Sequence, residues 1–155
     1  MSSVHVTPVA YVRGGRAAPE DDNWGRQRAT IVLDDRFTPE ALFGLDAFSH
    51  AEIIYQFHLV PDGKIESGAR RPRGNPDWPL VGIFAQRGKN RPNRIGVTVC
   101  RIVSVSSREI EVEGLDAIDA TPVLDIKPVM REFLPRGDIR QPDWSRELMN
   151  EYWQT

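Results

Sequence analysis

The segment QRGKNRPNR at 86–94 places Arg87, Lys89, Arg91 and Arg94 around Pro92 and between Gly88 and Gly96. Cations two or three residues apart, on a stretch that proline bends and glycine frees, form a stiff cationic edge. Guanidinium forks suit the gripping of carboxylate or phosphate oxygens. A second polar segment, GLDAIDATP at 114–122, offers Asp116, Asp119 and Thr121, which can accept from hydroxyl or ammonium groups. The two segments together suggest a site that holds a charged organic molecule between an arginine loop and an aspartate loop.

The chain has 20 Lys and Arg against 22 Asp and Glu, a net charge of −2, but the charges are unevenly spread. Between positions 70 and 94, Arg70, Arg71, Arg73, Arg87, Lys89, Arg91 and Arg94 stand against Asp77 alone. A basic stripe on an otherwise acidic chain points to a confined anionic partner such as a nucleic-acid backbone. The bland alternative is a solvated surface. Against it, this stripe runs through the segment that carries the candidate chemistry.

Several chemistries have no support. The sequence has no glycine-rich dinucleotide fingerprint, no phosphate-cradling loop ending in Gly-Lys-Ser/Thr and no Gly-x-Ser-x-Gly elbow. His5, His50 and His58 lack metal-ligand spacing, so no metal is expected. The single Cys100 excludes an intrachain disulfide and suits a reducing compartment. No apolar run approaches the ~18 residues of a membrane span, and the first residues do not resemble a signal peptide. A soluble, cytoplasmic protein with no membrane partner is expected.

The polar segments need strands to hold them. Apolar, β-branched runs at 95–105, 110–112 and 123–129 supply three. Val4, Val6, Pro8, Ala10 and Val12 lie two apart and predict an N-terminal strand, with Pro8 suggesting an edge. Residues 29–33 predict another, and the run AEIIYQFHLV at 51–60 a buried one. Trp24, in a polar loop, is expected to pin that loop to the body. Thr38-Pro39-Glu40 reads as the start of a short helix over 40–45, and 64–79 as an exposed loop over the barrel mouth. After a turn-rich connector at 130–141, Asp143 is expected to cap a helix through Trp153 bearing Trp144, Leu148 and Tyr152. Six or seven strands and few helices predict a mainly β, single-barrel domain at 1–130, followed by a connector and C-terminal helix at 131–155.

Three stretches carry a resemblance: GLDAFSHAEIIYQFH from Gly44, GIFAQRGKNRPNRIGVTVCRIV from Gly82 and EGLDAIDATPVLDIKP from Glu113. Over roughly residues 4 to 128 the chain resembles the TsaA-like, or TrmO, family of β-barrel methyltransferases that use S-adenosylmethionine. The resemblance implies methyl transfer from that cofactor to the exocyclic amine of threonylcarbamoyl-adenosine beside the tRNA anticodon. It also implies cofactor contacts at Arg26 and Gln27, at His58 and Leu59, at Arg87, at Val97, and along Glu113, Gly114, Leu115 and Asp116. The sequence departs from the family pattern with Gly25 and Arg94 where proline is usual, and with Ala120 where glycine is usual.

A tRNA partner would be gripped by Arg70, Arg71, Arg73, Lys89, Arg91 and Arg94. The chain lacks the extra C-terminal domain of some relatives, so this grip is expected from the barrel surface. Loss of a proton from the acceptor amine would be helped by a nearby base. Asp119 and Asp125 are candidates by position, although a turn-fixing role suits Asp119 and an ion pair with Lys127 suits Asp125. The aromatic C-terminal helix and the family's habit predict a homodimer. The alternative functions are methylation of a small non-tRNA acceptor and non-catalytic sensing of S-adenosylmethionine.

Overall fold

The computed structural model describes all residues, Met1–Thr155. Its strands are β1 (Ala10–Arg13), β2 (Arg28–Leu33), β3 (His50–Gln56), β4 (Ala69–Arg70), β5 (Val81–Gly82), β6 (Ile95–Ser106), β7 (Glu109–Glu113) and β8 (Pro122–Pro128). Six close into an antiparallel barrel in the order β1-β2-β7-β6-β3-β8, with β8 returning to β1. The remaining two, β4 and β5, form a small ribbon. One α-helix, α1 (Asp143–Leu148), follows the barrel, and no helix is long and apolar enough to cross a membrane.

Burial alternates along β1, β2, β3 and β7, because successive side chains on a strand point to opposite faces. The inward set of Ala10, Val12, Ile31, Ile53, Tyr55, Ile110, Val112 and Val123 is at most 2% exposed. These mostly β-branched side chains fill a barrel too narrow to leave a channel. The register of β3 on β8 shifts between Ile54 and Tyr55, opposite Asp125 and Val123. Such a bulge bends a strand and re-aims its side chains, and here it adjoins the buried Tyr55.

The predicted barrel is present, but several elements differ from expectation. Of the strand expected at 4–12 only the end forms. Val4 and Val6 are 86% and 59% exposed, and β1 pairs on both sides rather than lying at an edge. Pro8, which has no N–H to give a ladder, stands just outside it and lends its carbonyl to Arg36. The run 51–60 yields β3 with only alternate residues buried. The predicted helix at 40–45 is two 3-10 turns, Pro39–Leu42 and Leu45–Ala47, separated at Gly44 by a left-handed φ of 84°. The loop expected at 64–79 contains β4, which pairs with β5.

Helix α1 stops at Leu148 instead of Trp153, and Pro142 occupies its cap position. Beyond it the chain turns and docks on the first loop of the barrel. Backbone N–H groups of Asn23, Trp24 and Gly25 donate to the carbonyls of Glu151, Tyr152 and Gln154 at 3.0, 2.8 and 3.3 Å. A helix continued through Trp153 would leave these last carbonyls without intrahelical partners, and the first loop supplies donors to them.

Candidate functional site

Asp116, three residues past the end of β7 beyond the left-handed Gly114, gathers hydroxyls from three separate parts of the chain. Its Oδ1 accepts from Tyr55 on β3 at 2.9 Å and from Thr98 on β6. Its Oδ2 accepts from Tyr152, beyond α1. Burial, and then the charge of Asp116, push the phenols of both Tyr55 and Tyr152 upward. Both tyrosines are therefore protonated donors at neutral pH rather than bases. Strand geometry explains how the cluster assembles: Gly96 and Thr98 lie two apart on β6 and share its inner face. The missing side chain of Gly96 leaves room for the Tyr55 ring.

The arginine loop is tied down by its own guanidinium groups. Arg87 donates to the Val97 carbonyl at 2.7 Å, Arg91 to Gln86 at 2.7 Å and Arg94 to Val60 at 2.8 Å. Val97, whose carbonyl holds Arg87, precedes Thr98 of the Asp116 cluster on β6, so this loop lies beside that cluster. Gln86, 8% exposed, donates to Arg70 and Val81 carbonyls at 3.0 Å each and so fastens the loop to the β4–β5 ribbon. The Arg70 guanidinium lies over Gly88, where a Cβ would stand 2.7 Å from Nη2.

The cations of the basic stripe divide into two sets. Arg73 forms a two-pronged pair with Asp22 at 2.9 and 3.2 Å, Arg94 pairs with Asp62 at 2.9 Å, and Arg71 donates to the carbonyls of Pro76 and Trp78. These three stitch loops together. Arg70, Arg87, Lys89 and Arg91 have no acidic partner, and neither has Arg26 on the first loop. The stripe expected as one footprint is therefore divided: Arg71, Arg73 and Arg94 are tied into loops, and the rest lack acidic partners, although Arg87 and Arg91 each donate to a backbone carbonyl.

Of the other anticipated positions, Gln27 accepts at its carbonyl from Gly114 N–H at 2.9 Å, so the first loop and the aspartate loop meet. Leu115 is 1% exposed and can offer a ligand only its backbone. Glu113 is bound to Arg101 and Arg28, which hold its carboxyl below the usual range. Leu59 is exposed and His58 half-buried where the chain leaves β3. Asp119 Oδ1 accepts from Gly14 N–H at 2.7 Å. Asp125 pairs with Lys127 at 2.7 Å and accepts from Ile126 N–H. Neither shares a hydrogen bond with the Asp116 cluster.

Tyr55, Thr98 and Tyr152 were not singled out from the sequence as site residues. A tyrosine and a threonine at inward positions of adjacent strands are the signal that bears on the first two, since a buried hydroxyl must find a partner. The sequence places Tyr152 on a helix stripe that must be buried either on the chain's own barrel or on a second subunit, and its hydroxyl meets the chain's own Asp116.

The family model described as the tRNA-methyltransferase O N-terminal domain matches residues 13–133. The Pseudomonas aeruginosa protein named "Putative S-adenosylmethionine-dependent methyltransferase RcsF" is 41% identical over 141 residues, covering 86% of this chain and 58% of that one. Human tRNA (adenine(37)-N6)-methyltransferase is 35% identical over 126 residues, 79% of this chain and 28% of that protein. The crystal structure of TrmO from P. aeruginosa superposes with a TM-score of 0.75 at 28% identity, covering 93% of this chain and 62% of that one. The chain thus spans less than two thirds of the length of these relatives.

Proposed function

Because this chain belongs to the family of tRNA-methyltransferase O N-terminal domains, we propose that it transfers a methyl group from S-adenosylmethionine to the exocyclic amine of the adenine at tRNA position 37, in its threonylcarbamoyl-modified form. The observation that carries this proposal is the placing of Arg87, which has no acidic partner, on the Val97 carbonyl next to Thr98 of the Asp116 cluster, inside the matched region. The donor set fits the cofactor. Arg87 and Arg26, free of acidic partners, can grip its carboxylate, and Asp116, with three hydroxyls placed on its two oxygens, retains a lone pair for a ribose hydroxyl. Bound S-adenosylmethionine would supply a methyl already activated on a sulfonium.

The chain's own contribution is then positioning. The two loops orient donor and acceptor, an effect that can lower a barrier by about 7–11 kcal/mol when the geometry is right. Asp119 accepts from Gly14 N–H, Asp125 pairs with Lys127 and Tyr152 is held protonated, so none of these three stands as a free base beside Asp116. Arg70, Lys89 and Arg91 would meet the tRNA phosphates, and cytoplasmic tRNA is the partner this implies. We also propose a homodimer, supported by the exposed Leu80 and Phe84 that flank β5 at 64% and 78%. Sedimentation showing only monomer at micromolar concentration would remove that part.

The deciding experiment is calorimetric titration with S-adenosylmethionine, followed by mass analysis of tRNA incubated with protein and cofactor. A methyl gained only by tRNA carrying the threonylcarbamoyl group is the expected result. Binding without any methylated tRNA would favour a small acceptor or a sensor.

A further inference from the structure

Residues 150–154 do not trail from the barrel. Three backbone hydrogen bonds join them to Asn23, Trp24 and Gly25. At Gly25 a Cβ would collide with the carbonyl of Trp153. The first loop beneath is itself rigid: Trp24 is 3% exposed, its Nε1 donates to Glu20, and Arg16 lies 4.2 Å over its ring while donating to the Asp22 and Asn23 carbonyls. From the other side, Trp78 Nε1 donates to Glu147 of α1 at 2.7 Å, and Arg73 clamps Asp22. The segment is thus held between two loops, and its one half-buried side chain is delivered to Asp116.

We propose that Tyr152 is a positioning residue of the cofactor site, acting through Asp116: its phenol fixes Oδ2 so that the remaining lone pair faces the ribose hydroxyl. This rests on the proposed binding of S-adenosylmethionine at Asp116. A carboxylate held only at Oδ1, by Tyr55 and Thr98, could still rotate about its Cβ–Cγ bond within the limits those two hydroxyls set. The third hydroxyl removes that freedom before the ligand arrives, so less ordering remains for binding to supply. Tyr152 also carries its ring edge-on to Trp153, at 4.9 Å and 82°, which fixes the phenol from behind.

The test is calorimetric binding of S-adenosylmethionine by the parent, Tyr152→Phe, Asp116→Asn and the double variant, with urea unfolding of each as a control on folding. Tyr152→Phe should weaken binding about tenfold, as expected for one hydrogen bond to a charged group. The double variant should bind no more weakly than Asp116→Asn alone, because Tyr152 acts through that carboxylate. Gly25→Ala alters neither residue but displaces Trp153, and should reproduce the loss. Additive losses, or unchanged binding by Tyr152→Phe, would overturn the proposal. Tighter binding by Tyr152→Phe or Gly25→Ala would also overturn it, marking the segment as an obstruction to the ligand. If the parent itself fails to bind, the cofactor assignment falls and the role given to Tyr152 falls with it.

Discussion

Tyr55 lies directly opposite Gly96 across the β3–β6 ladder and covers it with its ring. A Cβ at Gly96 would stand 2.6 Å from the ring's Cζ and 2.9 Å from that of Phe57. The two rings meet edge to face at 5.4 Å, so neither can yield without moving the other.

Gly96→Ala should therefore destabilise the fold by about 1–3 kcal/mol through overpacking. It should also weaken cofactor binding, because the Tyr55 hydroxyl moves with its ring. Urea unfolding beside titration measures both, and a variant as stable as the parent would show that the rings have space to yield.

Ala120 holds a left-handed φ of 64° while its N–H donates to Val12. Relief of that strain should outweigh the greater freedom glycine brings to the unfolded chain. Ala120→Gly is expected to stabilise by up to about 1 kcal/mol. A lower urea midpoint would contradict this.

Three acidic groups are harder to ionise in the fold than in the open chain. Burial, assisted by Asp116, raises Tyr55 and Tyr152 above the usual 10.0, and raises Cys100 from 9.0 to about 12. The folded state keeps protons that the unfolded state releases. These groups' contribution is complete below about pH 9 and declines as pH rises through that range and beyond. Stability measured by urea should fall progressively above pH 9–10. Cys100, buried at 2% exposure, should resist a thiol reagent at pH 8 until denaturant is added.

The division of the basic stripe predicts how the proposed tRNA binding responds to salt. Removing Lys89 and Arg91 together should flatten the dependence of log K on log salt by about 1.5 units if both meet phosphates. Arg73→Ala should leave that slope alone and instead loosen the loop at Asp22. Equal slopes for the parent and the double variant would move the footprint elsewhere.

Arg94 invites a comparison with the family's usual proline. Its φ is 54° and that of Asn93 is 62°, whereas proline is confined near −65°. Arg94→Pro should therefore rebuild the loop rather than exchange one side chain, with loss of the Asp62 pair and of the bond to Val60. Unchanged stability of this variant would show that the loop accommodates both backbones.

The barrel was legible because its strands are apolar, β-branched runs bounded by polar turns, and burial on one face gives β1, β2, β3 and β7 a period of two. Arg87 and Asp116 could be named because their loops have distinctive compositions. What periodicity cannot carry is the identity of a distant partner. Arg73 and Asp22 are 51 positions apart and Arg94 and Asp62 are 32 apart, so cations that look free in the sequence are paired in space. The helix expected through Trp153 stops at Leu148, and the turn beyond it is held by hydrogen bonds to a loop more than a hundred positions earlier, which no local pattern announces.

Strand order has a consequence for how the chain reaches this state. β2 and β3 follow one another in sequence but are separated in the barrel by β7 and β6, and β1 must wait for both β2 and β8. Until β8 has been synthesised, β1 and β3 each present an unpaired edge. Open edges recruit other chains as readily as their own missing strand. Pairings of such long sequence separation also form slowly. The nascent protein is therefore most vulnerable to aggregation in the interval before residues 122–128 leave the ribosome, and slower translation ahead of them would prolong it.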